Sequence, residues 1–177
     1  MASLPRLTFV LGGARSGKSR YAESLFTALP PPFIYVATAQ PGDDEMAARI
    51  AEHRARRGPG WRTIEAPREL RDALAACGNA PALLDCLTLW LSNLVLGEAD
   101  IELEIKGLEA ALAAAAAPVV VVANEVGSGI VPEFPLGRKF RDLQGVLNQR
   151  IAARADRVVL MVAGLPLPIK ESPETTP

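Results

Sequence analysis

The sequence predicts a single α/β domain, in which a mostly parallel β-sheet carries helices on both faces. Short apolar runs alternate with helical patterns throughout the 177 residues, as expected when each parallel strand is followed by a crossover helix. The first apolar run also opens into a glycine-rich stretch, which a helical pattern follows at once. Neither an internal repeat nor a linker interrupts the alternation, so we expect one domain over residues 1–170.

The first third of the chain shows three strands, separated by helices and breakers. β-Branched and aromatic residues mark strands at Leu7–Leu11 and Phe33–Ala37, and the helix between them, Ser19–Leu29, is ended by three prolines. Asp43–Arg57 is predicted as a helix because it starts with acidic residues and ends with arginines, as the helix dipole favours. A Gly-Pro-Gly sequence breaks this helix, and Trp61–Glu65 follows as a short third strand.

The middle of the chain combines one acid-bearing strand with three helices. Pro67–Cys77 is predicted as a helix, and Ala82–Cys86 as a fourth strand with an acid near its end. Thr88–Leu96 continues as an apolar helix. Ala99–Ala117 is a further predicted helix, because its isoleucines and leucines recur at helical spacing while its alanines favour helix formation.

The last third contributes the most apolar strand and the edge of the sheet. Val119–Ala123 is a run of four valines and an alanine, which predicts a buried central strand. A long helix over Leu136–Ala155 precedes a strand at Arg157–Ala163 and a short edge strand at Leu167–Lys170. Glu171–Pro177 is expected to be a disordered tail.

Composition argues against several classes of protein. Hydrophobic residues make up 49% and charged residues 22%, with a net charge of −1, so neither a nucleic-acid scaffold nor a membrane-surface protein is indicated. The longest apolar run, Leu83–Leu96, contains Asp85 and is shorter than the ~20 residues that a membrane span needs. The first residues lack signal-peptide features, and the two cysteines form neither a disulfide framework nor a metal pattern. We therefore expect a cytoplasmic protein with no nucleic-acid partner and no membrane span.

The glycine-rich stretch after the first strand, GGARSGKS, matches the pattern G-x-x-x-x-G-K-[ST] in the context that this motif requires. In such P-loops the glycines let successive N–H groups point at one anion, while the lysine reaches the outer phosphates. A glycine-rich turn that binds nothing is the alternative, but strand, loop, lysine and helix all agree. The sequence therefore predicts a P-loop fold of the RecA-like kind that binds a nucleoside triphosphate. The predicted phosphate-binding residues are Gly12, Gly13, Ala14, Arg15, Ser16, Gly17, Lys18 and Ser19.

An acid near the end of the fourth strand, Asp85, occupies the place where P-loop proteins commonly hold Mg²⁺. The hydroxyl of Ser19 is the other predicted Mg²⁺ ligand. Asp85 could instead cap the helix that starts near Thr88. The metal role is favoured, since a triphosphate site needs Mg²⁺ and this acid is correctly placed.

The only histidine of the chain is His53. Its helical spacing from Met46 and Ile50 is more often that of a packed side chain than of a catalyst. The surrounding charges are unusual, however, because five arginines stand against the single acid Glu52: Arg49, Arg54, Arg56, Arg57 and Arg62. Such a cluster suits a polyphosphate clamp and opposes protonation of the ring. A neutral imidazole is a nucleophile, so His53 could attack a nucleotide phosphorus.

Two further acids follow strands. Glu65 ends the third strand, and Glu125 lies in the glycine-bearing loop Asn124–Gly129. Either acid could serve as a general base or bind a sugar hydroxyl, and a solvated acid is an equal alternative for both. The loop is only weak support for a second anion site. The roles of Glu125 and this loop therefore stay open.

Several short motifs occur in an order that resembles one family. They are Gly12–Ser19, Tyr35–Thr38, Asp44–Arg54, Trp61–Glu65, Asp85–Trp90, Asn124–Pro132 and Arg141–Gln149. Together they resemble the bifunctional adenosylcobinamide kinase/adenosylcobinamide-phosphate guanylyltransferases of cobalamin assembly, and the resemblance covers Leu7 to Lys170. One departure is visible. The family usually has a proline directly after the arginine that corresponds to Arg57, whereas here Gly58 follows and the proline comes one position later.

The resemblance implies two reactions in one chain. ATP or GTP would phosphorylate the aminopropanol hydroxyl of adenosylcobinamide, a corrinoid, and GTP would then donate GMP to that phosphate through a guanylylated histidine. His53 and Lys18 are the predicted catalytic residues, with Mg²⁺ as the cofactor. Similar proteins assemble as trimers, so a homo-oligomer is expected. The implied nucleotide contacts are Gly12–Ser19, Ala37, Thr38, Ala39, Arg54, Ala55, Arg56, Arg57, Glu65 and Asp85.

Two other functions stay open at this point. One is a monofunctional small-molecule kinase in which His53 is only a packed residue. The other is a nucleotide-gated regulatory protein, although the chain lacks the guanine-recognition motif of GTPases. The corrinoid contacts are not identified by any motif, and Leu136–Ala155 and Asn124–Glu133 are the segments expected to supply them.

Overall fold

The computed structural model describes residues 4–171, except for the side chain of Arg49. Its strands are β1 Leu7–Gly12, β2 Phe33–Ala37, β3 Trp61–Glu65, β4 Ala82–Asp85, β5 Val119–Asn124, β6 Arg157–Val162 and β7 Leu165–Lys170. They form one sheet in the order β3-β2-β4-β5-β1-β6-β7. β1 to β6 are parallel, and β7 pairs antiparallel with β6 at the edge. The predicted mostly parallel sheet is confirmed.

Helices connect the parallel strands and cover both faces of the sheet. They are α1 Lys18–Ser24, α2 Asp44–Arg56, α3 Leu70–Ala75, α4 Leu87–Leu96, α5 Ile101–Ala114 and α6 Pro135–Arg154. Among the residues described, no helix is both long and apolar enough to cross a membrane.

The sheet is buried on both sides, because successive strand residues point to opposite faces. Phe9 of β1 and Val121 of β5 pack in the larger apolar layer, which α3, α4, α5 and α6 complete. Val10 and Val122, their neighbours in the chain, pack in the smaller layer with Phe26, which follows α1. All four of these strand residues are fully buried. The two layers fix β1 and β5 at the centre of the molecule.

The first helix is shorter than the sequence predicts. A helix was expected over Ser19–Leu29, but α1 ends at Ser24. Ser24 Oγ donates to the carbonyl oxygen of Tyr21 at 2.7 Å, and Thr27 Oγ1 donates to that of Ser24 at 2.8 Å. Hydroxyl groups that bond to nearby carbonyls compete with the helical hydrogen bonds, so the chain continues in turns.

The helix expected over Pro67–Cys77 is also shorter, since α3 spans only Leu70–Ala75. Side chains of α4 engage the backbone that precedes α3. Asn93 Nδ2 donates to the carbonyl oxygen of Pro67 at 3.0 Å, and Trp90 Nε1 donates to that of Arg68 at 2.8 Å. Tertiary contacts therefore set where α3 begins.

Other boundaries also differ by a few residues. The helix expected over Ala99–Ala117 is Ile101–Ala114, and the edge strand begins at Leu165 rather than Leu167. Cys77 and Cys86 are buried free thiols, as the sequence predicts. Of the tail predicted at Glu171–Pro177, residues 172–177 lie outside the described residues.

Candidate active site

A cavity of about 640 Å³ opens at the carboxyl ends of the parallel strands, which is where sheets of this class bind ligands. One wall is the loop between β1 and α1, and the opposite wall is α2. The turn at Ala163 and Gly164, which joins β6 to β7, lies against the first wall. Most of the charged residues that line the cavity are cations, namely Arg15, Lys18, Arg20, Arg54, Arg56 and Arg57.

The loop after β1 is held in shape by close packing. A Cβ atom on Gly12 would lie 2.4 Å from Ser16 Oγ and 2.8 Å from the carbonyl oxygen of Met161, so only glycine fits there. Gly17 precedes α1 with a backbone φ of 91°, a conformation that residues with a Cβ atom rarely adopt. The loop therefore takes the wrapped form that the motif requires.

The lysine of this loop, Lys18, lies against the loop's own backbone. Lys18 is buried, and its Nζ donates to the carbonyl oxygen of Gly13 at 3.0 Å. The N–H of Gly164 donates to the carbonyl oxygen of Ser16 at 3.1 Å, which supports the loop from the β6–β7 turn. Ser16 Oγ is buried without a hydrogen-bond partner among the described residues. A buried hydroxyl of this kind is costly unless a ligand satisfies it, and a phosphate oxygen would do so.

The opposite wall, α2, lies over the cavity with little packing. Asp43 caps it by accepting a hydrogen bond from the N–H of Met46 at 2.7 Å. None of its described residues is buried. Met46, Ile50 and His53 nevertheless face the cavity, at the helical spacing noted in the sequence. Of the two alternatives for this face, packing against a core and a place at the ligand site, the structure shows it bordering the cavity.

The imidazole of His53 lies near the end of β4. Its Nδ1 is 3.9 Å from Asp85 Oδ2, which is too long for a hydrogen bond but close enough for electrostatic attraction. Burial lowers the pKa of His53 below its usual value of 6.5, and Arg56 and Arg57 lower it further, whereas Asp85 and Glu23 raise it. The ring is therefore neutral at pH 7. This agrees with the direction expected from the arginines, although burial is the larger cause.

Tyr35 contacts both the acid at the end of β4 and an arginine of the cationic cluster. Its hydroxyl donates to Asp85 Oδ2 at 3.1 Å, and its ring lies 3.5 Å below the Arg57 guanidinium. Burial and the Asp85 charge raise the pKa of Tyr35 far above its usual value, so the hydroxyl stays protonated and acts as a donor. Arg57 Nη1 is buried without a hydrogen-bond partner among the described residues. Tyr35 thus helps to orient both the carboxylate of Asp85 and the guanidinium of Arg57.

The other arginines of the cluster do not behave alike. Arg54 pairs with Glu65 at 3.0 Å and Arg56 with Glu23 at 3.3 Å, and both arginines line the cavity. Arg62 instead donates to the carbonyl oxygen of Ala76 at 3.5 Å, away from the site. The side chain of Arg49 lies outside the described residues.

The residues predicted to hold Mg²⁺ fit that ion chemically. Ser19 and Asp85 both line the cavity, and together they offer a hydroxyl and a carboxylate oxygen, which are hard ligands. Within residues 4–171, no group of three or more His, Cys, Asp or Glu side chains could hold a metal alone. Mg²⁺ usually takes one or two protein ligands and completes its shell with phosphate oxygens and water.

The structure brings most of the predicted site residues to the cavity but places some elsewhere. Residues 14–19, Ala37, Ala39, Glu65 and Asp85 line it, with His53 and the three arginines 54, 56 and 57. Thr38 does not line the cavity, because it is fully buried and its hydroxyl donates to the Cys86 carbonyl and accepts from the Cys86 N–H, both at 2.8 Å. Thr38 therefore fixes the chain beside Asp85. Ala55 is exposed and does not line the cavity either.

Sequence patterns missed several residues of the site. Tyr35 appeared as a core aromatic because it lies within a buried strand, and nothing in its spacing separates it from one. Ala163 and Gly164 reach the cavity only because β6 lies beside β1 in the sheet. Asn124 was expected only as part of a strand-end loop and of the segment that contacts the corrinoid, and it lines the cavity. Glu125, its neighbour, accepts a hydrogen bond from the N–H of Gly127 at 2.6 Å and shapes its own loop.

Comparison with solved structures identifies the fold. The chain matches an ATPase from the type III secretion system of pathogenic bacteria with a TM-score of 0.55 at 11% identity, covering 90% of this chain and 51% of that one. It thus spans about half the length of that ATPase. A protein from Pyrococcus horikoshii matches with the same TM-score of 0.55 at 8% identity, covering 98% of this chain and 90% of that protein. At these identities the likeness concerns the fold alone, and it agrees with the predicted P-loop class.

Comparison of sequences is more specific. The family model described as cobinamide kinase / cobinamide phosphate guanyltransferase matches residues 8–169. The bifunctional adenosylcobalamin biosynthesis protein CobP of Pseudomonas aeruginosa is 48% identical over 168 residues, which cover 93% of this chain and 97% of that protein. The corresponding CobU proteins of Salmonella typhimurium and Escherichia coli are 47% and 44% identical, each over 93% of this chain and 99% of theirs. The chain belongs to the cobinamide kinase / cobinamide phosphate guanyltransferase family.

Proposed function

We propose that this chain catalyses two consecutive reactions on adenosylcobinamide. In the first, ATP or GTP phosphorylates the hydroxyl of the aminopropanol arm. In the second, GMP passes from GTP to that phosphate, which gives adenosylcobinamide-GDP and pyrophosphate. The observation that carries the proposal is that a family match over residues 8–169 coincides with a phosphate loop, an acid and a neutral histidine around one cavity.

His53 is the residue we propose as the carrier of GMP. An imidazole nitrogen of His53 bonds to the α-phosphorus of GTP, the bond from that phosphorus to the α–β bridging oxygen breaks, and pyrophosphate leaves with the electron pair. An oxygen of the corrinoid phosphate then bonds to the same phosphorus, and the P–N bond breaks. Nδ1 is the nitrogen nearer the Asp85 carboxylate, so a proton there is favoured and the lone pair remains on Nε2.

The cations of the cavity suit the charge that this chemistry produces. Lys18 and the phosphate loop hold the outer phosphates, while Arg54, Arg56 and Arg57 lie beside His53 and balance the charge of the departing pyrophosphate. The chemistry that Mg²⁺ supplies, when it is bound by Ser19 and Asp85, is neutralisation of phosphate oxygens. Tyr35 keeps Asp85 oriented for that role.

The test is covalent labelling with GTP that carries radioactive phosphorus at the α-position. We expect a label on the protein that is labile to acid and stable to alkali, as a phosphoramidate is, and that moves to adenosylcobinamide-phosphate when this acceptor is added. His53→Ala should take up no label, yet it should still bind nucleotide and retain kinase turnover, because the phosphate loop is untouched.

Two outcomes would contradict parts of this proposal. Kinase turnover without any protein label would restrict the function to the first reaction. Undiminished GMP transfer by His53→Ala would show that another group carries the nucleotide. A trimeric assembly and a cytoplasmic location stay predictions, and a molar mass measured by light scattering would test the first of them.

A further inference from the structure

Asn124 is the residue on which a further inference rests. It ends β5, the strand that separates β4, which carries Asp85, from β1, which carries the phosphate loop. In the sheet Asn124 is the register partner of Gly12. The N–H of Glu125 donates to the carbonyl oxygen of Gly12 at 3.1 Å. Because neighbouring strands lie about 4.8 Å apart, Asn124 stands directly beside the start of the phosphate loop.

The backbone of Asn124 is held from both sides by buried polar side chains. Its N–H donates to Thr88 Oγ1 of α4 at 2.7 Å, and its carbonyl oxygen accepts from Asn148 Nδ2 of α6 at 3.1 Å. Gln144 Nε2 donates in turn to Asn148 Oδ1 at 2.8 Å. Burying polar groups is costly unless they are paired, so these contacts have a structural purpose. They fix the position from which the Asn124 side chain projects.

The carboxamide of Asn124 is left available by this arrangement. Asn124 is one of the residues that line the cavity. None of the hydrogen bonds recorded among the residues described involves Asn124 Oδ1 or Nδ2. An asparagine that serves only to shape a loop would bond to nearby backbone groups. Here Glu125 does that, since its Oε1 accepts from the N–H of Gly127 at 2.6 Å.

We propose that Asn124 Nδ2 donates a hydrogen bond to the terminal phosphate of the triphosphate in the phosphate loop. This inference rests on the proposed function and adds to it a neutral donor that distinguishes a triphosphate from a diphosphate. In the kinase reaction the substrate hydroxyl oxygen bonds to the γ-phosphorus, and the bond from that phosphorus to the β–γ bridging oxygen breaks. The nucleoside diphosphate leaves with the electron pair, and the hydroxyl proton passes to solvent. Asn124 steadies the γ-phosphate oxygens during this transfer.

The first test compares two nucleotides that differ in the terminal phosphate. Asn124→Ala should weaken binding of the non-hydrolysable analogue adenylyl imidodiphosphate about tenfold or more, the loss typical of one hydrogen bond to a charged group. Its affinity for ADP should stay within about twofold of the wild-type affinity. That result would also show that the variant is folded. Asn124→Asp should bind the analogue still more weakly, because a carboxylate repels the phosphate. Titration calorimetry measures both affinities.

The matched control is Asn79→Ala. Asn79 is exposed and precedes β4, so it lies near the amino ends of the parallel strands, whereas the cavity lies at their carboxyl ends. This variant should bind both nucleotides normally. Equal weakening of ADP and the analogue by Asn124→Ala would indicate a general distortion of the loop and overturn the inference. Unchanged binding of both nucleotides would overturn it as well.

Kinetics separate this inference from the proposed function. With Asn124→Ala we expect kcat for cobinamide phosphorylation to fall about 100-fold, as when one preorganised donor is removed. Labelling of His53 at saturating GTP should change much less, because no bond to the γ-phosphorus alters in that step. If the unchanged protein shows neither reaction, the proposed function fails, and the comparison of the two nucleotides still decides the role of Asn124.

Discussion

The two walls of the cavity are built in opposite ways. The phosphate loop follows β1, which is flanked by β5 and β6 in the sheet, and the N–H of Gly164 supports the carbonyl of Ser16 from the β6–β7 turn. The facing wall, α2, buries none of its described residues. Arg54 and Arg56 attach it to β3 and α1 through ion pairs with Glu65 and Glu23.

The difference separates what each wall can do. Backbone N–H groups in a packed loop are already in place before a phosphate arrives, so they bind it without rearrangement. The exposed ion pair between Arg54 and Glu65 contributes only about 0–1 kcal/mol and is screened by salt. Because α2 also buries none of its described residues, the helix is loosely attached. We therefore expect nucleotide affinity to depend on backbone shape, and reaction at His53 to depend on the charges around α2.

Gly12→Ala is expected to have the largest effect on this contrast. The added Cβ would lie 2.8 Å from the backbone oxygen of Met161, which has no room to move in the neighbouring strand. Overpacking of this kind costs about 1–3 kcal/mol, and relieving it would displace the N–H groups of the loop. Triphosphate affinity, measured by titration calorimetry, should fall roughly 100-fold, which corresponds to a cost of about 2.8 kcal/mol for returning the displaced N–H groups to their binding positions.

Gly107→Ala is the control for that change. Gly107 lies in α5, and nothing is within 4 Å of a Cβ placed on it. This variant should bind nucleotide normally. Normal binding by Gly12→Ala as well would contradict the view that the wall depends on close backbone packing.

The second prediction concerns the pH dependence of the reaction at His53, which lies on α2. The folded protein keeps the pKa of His53 below 6.5, so the ring stays uncharged to a lower pH than in a peptide. The labelling rate at saturating GTP should at pH 6.5 stay above half of its value at pH 8, because a pKa below 6.5 leaves more than half of the imidazole rings neutral there. A group of pKa 6.5 loses about tenfold of its neutral form at pH 5.5, so the decline at that pH should be smaller than tenfold.

Nucleotide affinity measured over the same pH range separates reaction from binding. A labelling rate that already falls by half between pH 8 and 7 would show that the functional pKa of His53 is raised. That result would contradict the effects of burial and of the two arginines on the ring.

Glu23→Gln is expected to have the smallest effect. It removes the partner of Arg56, a pair whose side chains are 28% and 14% exposed, and so loosens the link between α1 and α2. The labelling rate should fall about threefold at low salt, in line with a contribution under 1 kcal/mol. High salt should reduce the difference from the unchanged protein, while nucleotide affinity should stay constant at both salt concentrations.

Asp72→Asn is the matched control, because Asp72 forms a fully surface-exposed pair with Arg71 away from the cavity. It should leave the labelling rate unchanged. An equal change in both variants would mean that general surface charge, rather than attachment of α2, sets the rate.

The sheet could be predicted from sequence more fully than the helix ends. Buried parallel strands appear as continuous β-branched runs, so the strand at Val119–Ala123 was recognisable from its valines, and the structure extends it by one residue to Asn124. Helix ends depend on partners that sequence spacing does not show. α3 begins at Leu70 because Trp90 and Asn93 bond to the backbone before it, and both belong to another helix.

The site residues also differ in how far they could be predicted. The phosphate loop and Asp85 were predictable because each occupies a fixed place relative to its own strand. Thr38 was assigned to the nucleotide from the family motif, yet the structure uses its hydroxyl to clamp Cys86. Tyr35 opens one of the family motifs but received no role, because its position in a buried strand is also that of a core aromatic residue. Gly164 could not be found, since it reaches the cavity only through the order of strands in the sheet.

The hydrogen bond between Gly164 and Ser16 joins the phosphate loop to the turn between β6 and β7, which lies far from it in the sequence. β1 also has β6 as a neighbour, and β6 begins only at Arg157. During synthesis on the ribosome, the phosphate loop therefore emerges before its support, which follows about 140 residues later. Nascent chains that stop before residue 157 should consequently lack the ability to retain nucleotide, however complete their glycine motif is.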